Sequence, residues 1–178
     1  MDNGLIPRRY AKALYKFAQE KGETERIYDL SKRVIEAFKA NPDLQKVLSN
    51  PFVEDADKEQ LLLTAAGEKD EIFKQFVLLI ISQKRVEYAR AMMLAYCDIY
   101  RKENNILQVK ITTAVKLDDA RMKKLRNLVT EAFKGSRLEF TEAVDPSLIG
   151  GFVIDVDSVR MDASLSHELE QLRQTLLS

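Results

Sequence analysis

The chain has 178 residues, 46% of them apolar and 31% charged, with 28 Lys and Arg balancing 28 Asp and Glu. That length holds one large domain or two small ones, and that hydrophobicity excludes an intrinsically disordered chain. Up to residue 105 there are 18 basic and 17 acidic residues, and beyond it 10 and 11, so neither half has the cationic excess on which nucleic-acid affinity rests.

The opening residues, Met1 to Pro7, lack the long apolar core of a signal peptide and the Arg- and Ser-rich character of a transit peptide. A helix is predicted from Pro7, since proline is favoured at the first helical position. Tyr10, Ala13, Leu14, Phe17 and Ala18 recur on it at helical spacing, and Lys21-Gly22 closes it. A second helix runs from about Glu23 to Ala40 on a stripe of Ile27, Leu30, Val34, Ile35 and Phe38. Asn41 is read as the cap of a short third helix starting at Pro42 and ending at Asn50-Pro51. A fourth spans about Asp55 to Ala66 and stops at Gly67, a fifth about Asp70 to Ser82, and a sixth, the longest, Arg85 to about Asn104. Six helices with short links and little glycine predict a compact bundle over residues 1–105.

At Asn104-Asn105 the period changes. Leu107, Val109 and Ile111 alternate with Gln108, Lys110 and Thr112, the pattern of a half-buried strand. Asp118 and Asp119 open an amphipathic helix carrying Met122, Leu125, Leu128, Val129 and Phe133, with Gly135 beyond its end. Leu138 and Phe140 mark a second strand, Leu148 to Val156 a third, and Ser158 to Met161 a short return strand. Asp145-Pro146-Ser147 supplies turn chemistry, and Gly150-Gly151 at a strand start marks a bulge or a close backbone approach. A closing helix from Ser166 to Leu177 carries Leu169, Leu172 and Leu176. The fold class is therefore α plus a small α/β: a six-helix bundle, then residues 106–178 as a short sheet with two helices. A unit of that size has a marginal core.

Little in the chain carries catalytic chemistry. His167 and Cys97 are the single histidine and cysteine and fall in different halves. A dyad or a metal site needs several convergent ligands, and no disulfide can form within the chain. Gly150-Gly151 lacks the spacing of a phosphate loop. Asp155, Asp157 and Asp162 are explained by separate turns and strand ends without a metal. Lys123-Lys124 with Arg126 has no aromatic platform for bases. No cofactor, metal or nucleic acid is expected. The longest apolar run, Phe76 to Ile81, falls far short of the ~20 residues that span a bilayer, so no direct membrane insertion is expected either. In the fifth helix Ile72, Phe73 and the run Phe76 to Ile81 leave almost no polar face. Such a helix is buried on all sides or meets a partner, and the residues alone leave both open. Arg8, Arg9, Lys12 and Lys16 form a basic edge on the first helix, read as a solvated face or as steering of an acidic partner.

Several stretches resemble the delta-subunit family of F-type ATP synthases, which includes the mitochondrial oligomycin-sensitivity-conferring protein. They are Arg9-Tyr10-Ala11-Lys12-Ala13-Leu14-Tyr15; Asn50-Pro51-Phe52; Phe76 to Ile80 before Arg85; Asp145 to Phe152; Asp162-Ala163-Ser164; and Leu169-Glu170-Gln171-Leu172-Arg173. The sequence departs from the family in the last hairpin, where Asp157-Ser158-Val159-Arg160 has no glycine, and at Ala163, where glycine is common. The resemblance implies a non-catalytic stator connector on the cytoplasmic face of a bacterial inner membrane. Its helical bundle would bind the alpha-subunit N-terminal helix of the catalytic hexamer, and its α/β domain the carboxy-terminal end of the stalk-forming b chains. It also implies a groove between the first and fifth helices, lined here by Tyr10, Ala11, Ala13, Leu14, Phe17, Phe76, Leu79 and Ile80. The reading from another class is a free-standing helical adapter, or a regulator whose α/β domain senses a ligand.

Overall fold

The computed structural model describes residues 4–67, 70–157, 159–167 and 169. The chain divides into two compact units, Met1–Glu103 and Asn104–Ser178.

The amino-terminal unit opens with α1 (Leu5–Lys21), on which Pro7, Ala11, Leu14 and Ala18 are buried. Gly22 ends it with a left-handed φ of 73°, which places its own N–H on Gln19 O (3.1 Å) and that of Glu23 on Ala18 O (2.9 Å). On α2 (Thr24–Ala40) every residue of the expected stripe, Ile27, Leu30, Val34, Ile35 and Phe38, is buried. Asn41 differs from expectation. Its side-chain amide donates back to Ala37 O at 3.3 Å, so it finishes α2, while α3 (Asp43–Ser49) starts without a side-chain cap. Next come α4 (Asp55–Ala66) and α5 (Glu71–Ser82). Asp70 caps α5 by accepting the Phe73 N–H at 2.8 Å, and its other oxygen meets Arg26 Nε at 3.1 Å, which ties α5 to α2.

The helix expected from Arg85 begins later. Lys84 takes a positive φ of 53°, one 3-10 turn follows at Val86–Tyr88, and α6 covers Ala89–Glu103. At 15 residues it is shorter than α1 and α2, each of 17. α6 packs against both of those helices. Tyr100 stacks on Tyr28 at 4.3 Å between ring centroids, Tyr96 meets Tyr15 at 5.9 Å, and the Tyr96 hydroxyl donates to Thr24 O at 3.0 Å. A buried tyrosine thus keeps its polar tip satisfied.

The carboxy-terminal unit holds β1 (Ile106–Thr113), α7 (Asp119–Ala132), β2 (Arg137–Val144), β3 (Gly151–Val156) and β4 (Val159–Ser164). The sheet order is β2-β1-β3-β4. β1 runs parallel to β2, with Val109 opposite Phe140, and antiparallel to β3, with Ile111 opposite Ile154. A parallel pair needs a crossover, and α7 provides it. Asp118 starts α7 by accepting the Arg121 N–H at 2.7 Å. Val109, Ile111, Val129, Ile154 and Val156 form the core, rimmed by half-buried Met122, Leu125, Phe133 and Phe140 among others.

The third strand starts three residues later than expected. Asp145 accepts the Ser147 N–H at 2.9 Å, and the bond, with the Ser147 hydroxyl's, lowers the Asp145 pKa. Pro146–Leu148 then forms a 3-10 turn that inserts Leu148 against Ala114 and Val153. Gly151 follows at φ 76°, where an added Cβ would stand 2.1 Å from Ala163 O, the close backbone approach that the glycine pair signalled. The return strand runs longer than expected, to Ser164, with Gly151 opposite Ser164. Residues 165–167 and 169 are helical. Ser164 Oγ accepts the His167 N–H at 3.3 Å, and Asp162 accepts the Ser164 hydroxyl at 2.6 Å. The Asp162-Ala163-Ser164 motif is therefore an oriented helix cap, and the Ser164 hydroxyl, with the Ser164 N–H, lowers the Asp162 pKa. The rest of the closing helix expected to Leu177 lies outside the described residues.

Candidate partner-binding surface

At 3.6 residues per turn, Pro7, Ala11, Leu14 and Ala18 form the face of α1 that enters the core. Tyr15, on one flank, touches Tyr96 of α6. On the other flank Ile6, Tyr10, Ala13 and Phe17 follow at intervals of four, three and four residues, with Ile6, Tyr10 and Phe17 half-buried and Ala13 exposed. This second apolar stripe covers about three turns, or about 16 Å, that the bundle leaves partly open.

α5 is a neighbour of α1. Phe73, Phe76, Val77, Ile80 and Ile81 are its buried face, while Leu78 and Leu79 are 44% and 45% exposed. Its apolar residues thus divide between the core and the surface. Of the eight residues expected to line a groove, Ala11, Leu14, Phe76 and Ile80 are core side chains, Tyr10 and Phe17 are half-buried, and Ala13 and Leu79 reach the surface. Ile6 belongs to the same stripe as Tyr10 and Phe17, and half-buried Ile72 stands seven residues before Leu79. Sequence reasoning passed over Ile6, although its place four residues before Tyr10 carried the signal.

A second concavity of about 850 Å³ was not expected. It lies among α2, α3 and α4, with Leu44, Val47, Val53 and Leu61 on its walls and Asp43 and Asp57 at its rim. Phe52, between α3 and α4, is 93% exposed. In the carboxy-terminal unit an open cleft of about 560 Å³ is bounded by Leu117, Met122, Lys116, Lys123 and Val144, and Arg126 pairs with Glu142 beside it.

The residues that could carry chemistry are used structurally. Cys97 is fully buried on α6, and burial pushes its thiol up to about 11 despite nearby Arg101. Asp157 accepts the Gln108 N–H at 3.1 Å, Asp162 orients the cap, and Asp155 stands 3.8 Å from Arg160. Among the described residues no group of three His, Cys, Asp or Glu side chains could hold a metal ion.

A family model described as ATP synthase delta (OSCP) subunit matches residues 6–176. The chain belongs to this family. The ATP synthase subunit delta of Parabacteroides distasonis is 38% identical over 178 residues, covering 99% of this chain and 98% of that protein. That of Phocaeicola vulgatus is 34% identical, covering 98% and 95%. A chain in the cryo-EM structure of the Toxoplasma gondii mitochondrial ATP synthase hexamer shares the fold, with a TM-score of 0.74 at 21% identity over 97% of this chain and 98% of that one.

Like the rest of the delta (OSCP) family, this chain is a non-catalytic, stator-linking subunit of F-type ATP synthase and a peripheral component of that complex. Among the described residues no helix is long and apolar enough to cross a membrane.

Proposed function

We propose that residues 1–105 act as one six-helix bundle that receives the alpha-subunit N-terminal helix, and that residues 106–178 hold the carboxy-terminal end of the stalk-forming b chains. Together they would join the catalytic hexamer to the peripheral stalk on the cytoplasmic face of a bacterial inner membrane. The observation that carries this reading is the partly open stripe Ile6-Tyr10-Ala13-Phe17 on α1, a helix in contact with α5, which itself leaves Leu78 and Leu79 at the surface. A guest helix presenting apolar residues at the same spacing would cover it, the helix-in-groove mode. Ala13, lacking a long side chain, lets the guest approach closely. Phe76 and Ile80 sit behind the groove and hold α5 in place.

A stator must resist the torque of rotation without dissociating. Slow dissociation follows from apolar and aromatic anchors buried at the centre of an interface, and Tyr10, Phe17 and Leu79 are the anchors available here. Engaging hexamer and stalk through two units of one chain raises the effective affinity of each.

Calorimetric titration of the chain with a synthetic N-terminal peptide of the alpha subunit from the same organism tests this. Binding at micromolar or tighter is expected, and Leu79→Asp should abolish it. Since Leu79 is 45% exposed, the variant should melt close to the unsubstituted chain. Unchanged affinity in a folded Leu79→Asp chain would rule out the groove.

A further inference from the structure

The face of α1 next to the apolar stripe is strongly basic. Between Leu5 and Lys21 the helix carries Arg8, Arg9, Lys12, Lys16 and Lys21 against Glu20 alone. Arg8, Arg9, Lys12 and Lys16 are all exposed, and among the described residues none of them has a carboxylate partner. Arg8, Lys12 and Lys16 follow one another at intervals of four residues, where like charges on one helix repel, and the first turn holds no acidic residue. The described residues leave these charges uncompensated, and carboxylates of a partner lying along this edge would offset their repulsion.

Their positions are unequal. At about 100° per residue, Arg9 and Lys16 border the stripe at Ala13, while Lys12 and Arg8 lie progressively further round. The exposed side of α5 is mixed, with Glu71, Lys74, Gln75 and Ser82, so the two walls of the groove differ in charge. Resting on the groove reading above, we infer that the occupant is an amphipathic helix with carboxylates along one edge, and that this edge lies against Arg9 and Lys16. The pairing sets how fast the helix arrives and which of its edges faces α1. Opposed charges at a rim act mainly on the association rate and on its salt dependence, and apolar anchors act mainly on dissociation.

Stopped-flow association of the full chain with the alpha-subunit N-terminal peptide tests this at low and high ionic strength. The association rate should fall by on the order of tenfold as salt shortens the Debye length. R9E/K16E and R8E/K12E change the net charge equally, so the difference between them reads geometry. R9E/K16E should slow association by roughly tenfold more than R8E/K12E, with little change in dissociation. All four side chains are exposed, and circular dichroism checks that both variants fold. Equal rates for the two variants, or a rate indifferent to salt, would overturn the pairing while leaving the groove intact. Vesicles of anionic phospholipid that bind the chain and not R9E/K16E, with peptide kinetics unchanged, would overturn it in favour of a membrane surface. If the unsubstituted chain binds no peptide, the groove itself fails, and this inference with it.

Discussion

α2 buries seven of its 17 residues and α7 only Val129 of its 14. Both helices carry an apolar stripe. α2 is enclosed by helices on several sides, among them α1, α4 and α6, while α7 covers a small sheet whose core side chains are mostly aliphatic. Met122, Leu125 and Phe133 therefore stop half-way into the core, and Leu128 is 53% exposed. The amino-terminal unit completes its core and leaves a narrow stripe over, whereas the carboxy-terminal unit has a core with an open rim. Small units of that kind gain most from docking.

The largest effect that would break this contrast is a core truncation in the bundle. Phe73, 1% exposed and held by the Asp70 cap, should cost about 3–5 kcal/mol on substitution by Ala, read from urea unfolding. Amide exchange should then rise across α1–α6 and leave β1–β4 unchanged. A matching rise in the sheet would show that the two units unfold as one.

In the carboxy-terminal unit the sharper probe is backbone. Gly151→Ala combines a positive φ with a Cβ only 2.1 Å from Ala163 O. The conformation alone costs about 1–3 kcal/mol, and β3 must move off β4 as well. The expected outcome is exchange between β3 and β4 rising first. A variant as stable as the parent would remove the close approach as a fold determinant.

The smallest effect is alkaline. In the folded chain burial raises Cys97 from 9.0 to about 11. Between those values the folded protein holds a proton that the unfolded chain has lost, so stability is fully present below about pH 9 and declines as pH rises toward 11. The slope approaches roughly 1.4 kcal/mol per pH unit. Cys97→Ala should flatten that limb in unfolding measured against pH. An unchanged slope would assign the limb to other groups, buried Tyr96 first among them, whose hydroxyl burial also pushes up.

These probes also mark what the sequence carries. Signals acting within four residues were legible: the Gly22 stop, the Asp118 cap, the Asp145 turn and the stripe of α2 all stand where the pattern put them. The positive φ at Lys84, which delays α6, has no such signal, because Lys rarely adopts it. Pairing of β1 with β2 in parallel was equally hidden, since alternation gives a strand its faces and says nothing of its neighbours. The candidate site suffers most from this. In α5, Leu78, Leu79, Ile80 and Ile81 are chemically alike, and only the packing of the bundle decides that the first two face outward.

The sheet order β2-β1-β3-β4 has a consequence for synthesis. β1 is the hub of the sheet and the first of its strands to leave the ribosome. Its partners lie about thirty and forty residues downstream, since Ile106 faces Arg137 and Thr113 faces Phe152. α1–α6 precede it and are complete in sequence by Glu103, so the bundle can close while β1 still exposes Val109 and Ile111 with nothing to cover them. At about 5–20 residues per second, that interval lasts seconds, during which β1 is open to chaperone capture or to pairing with the wrong strand.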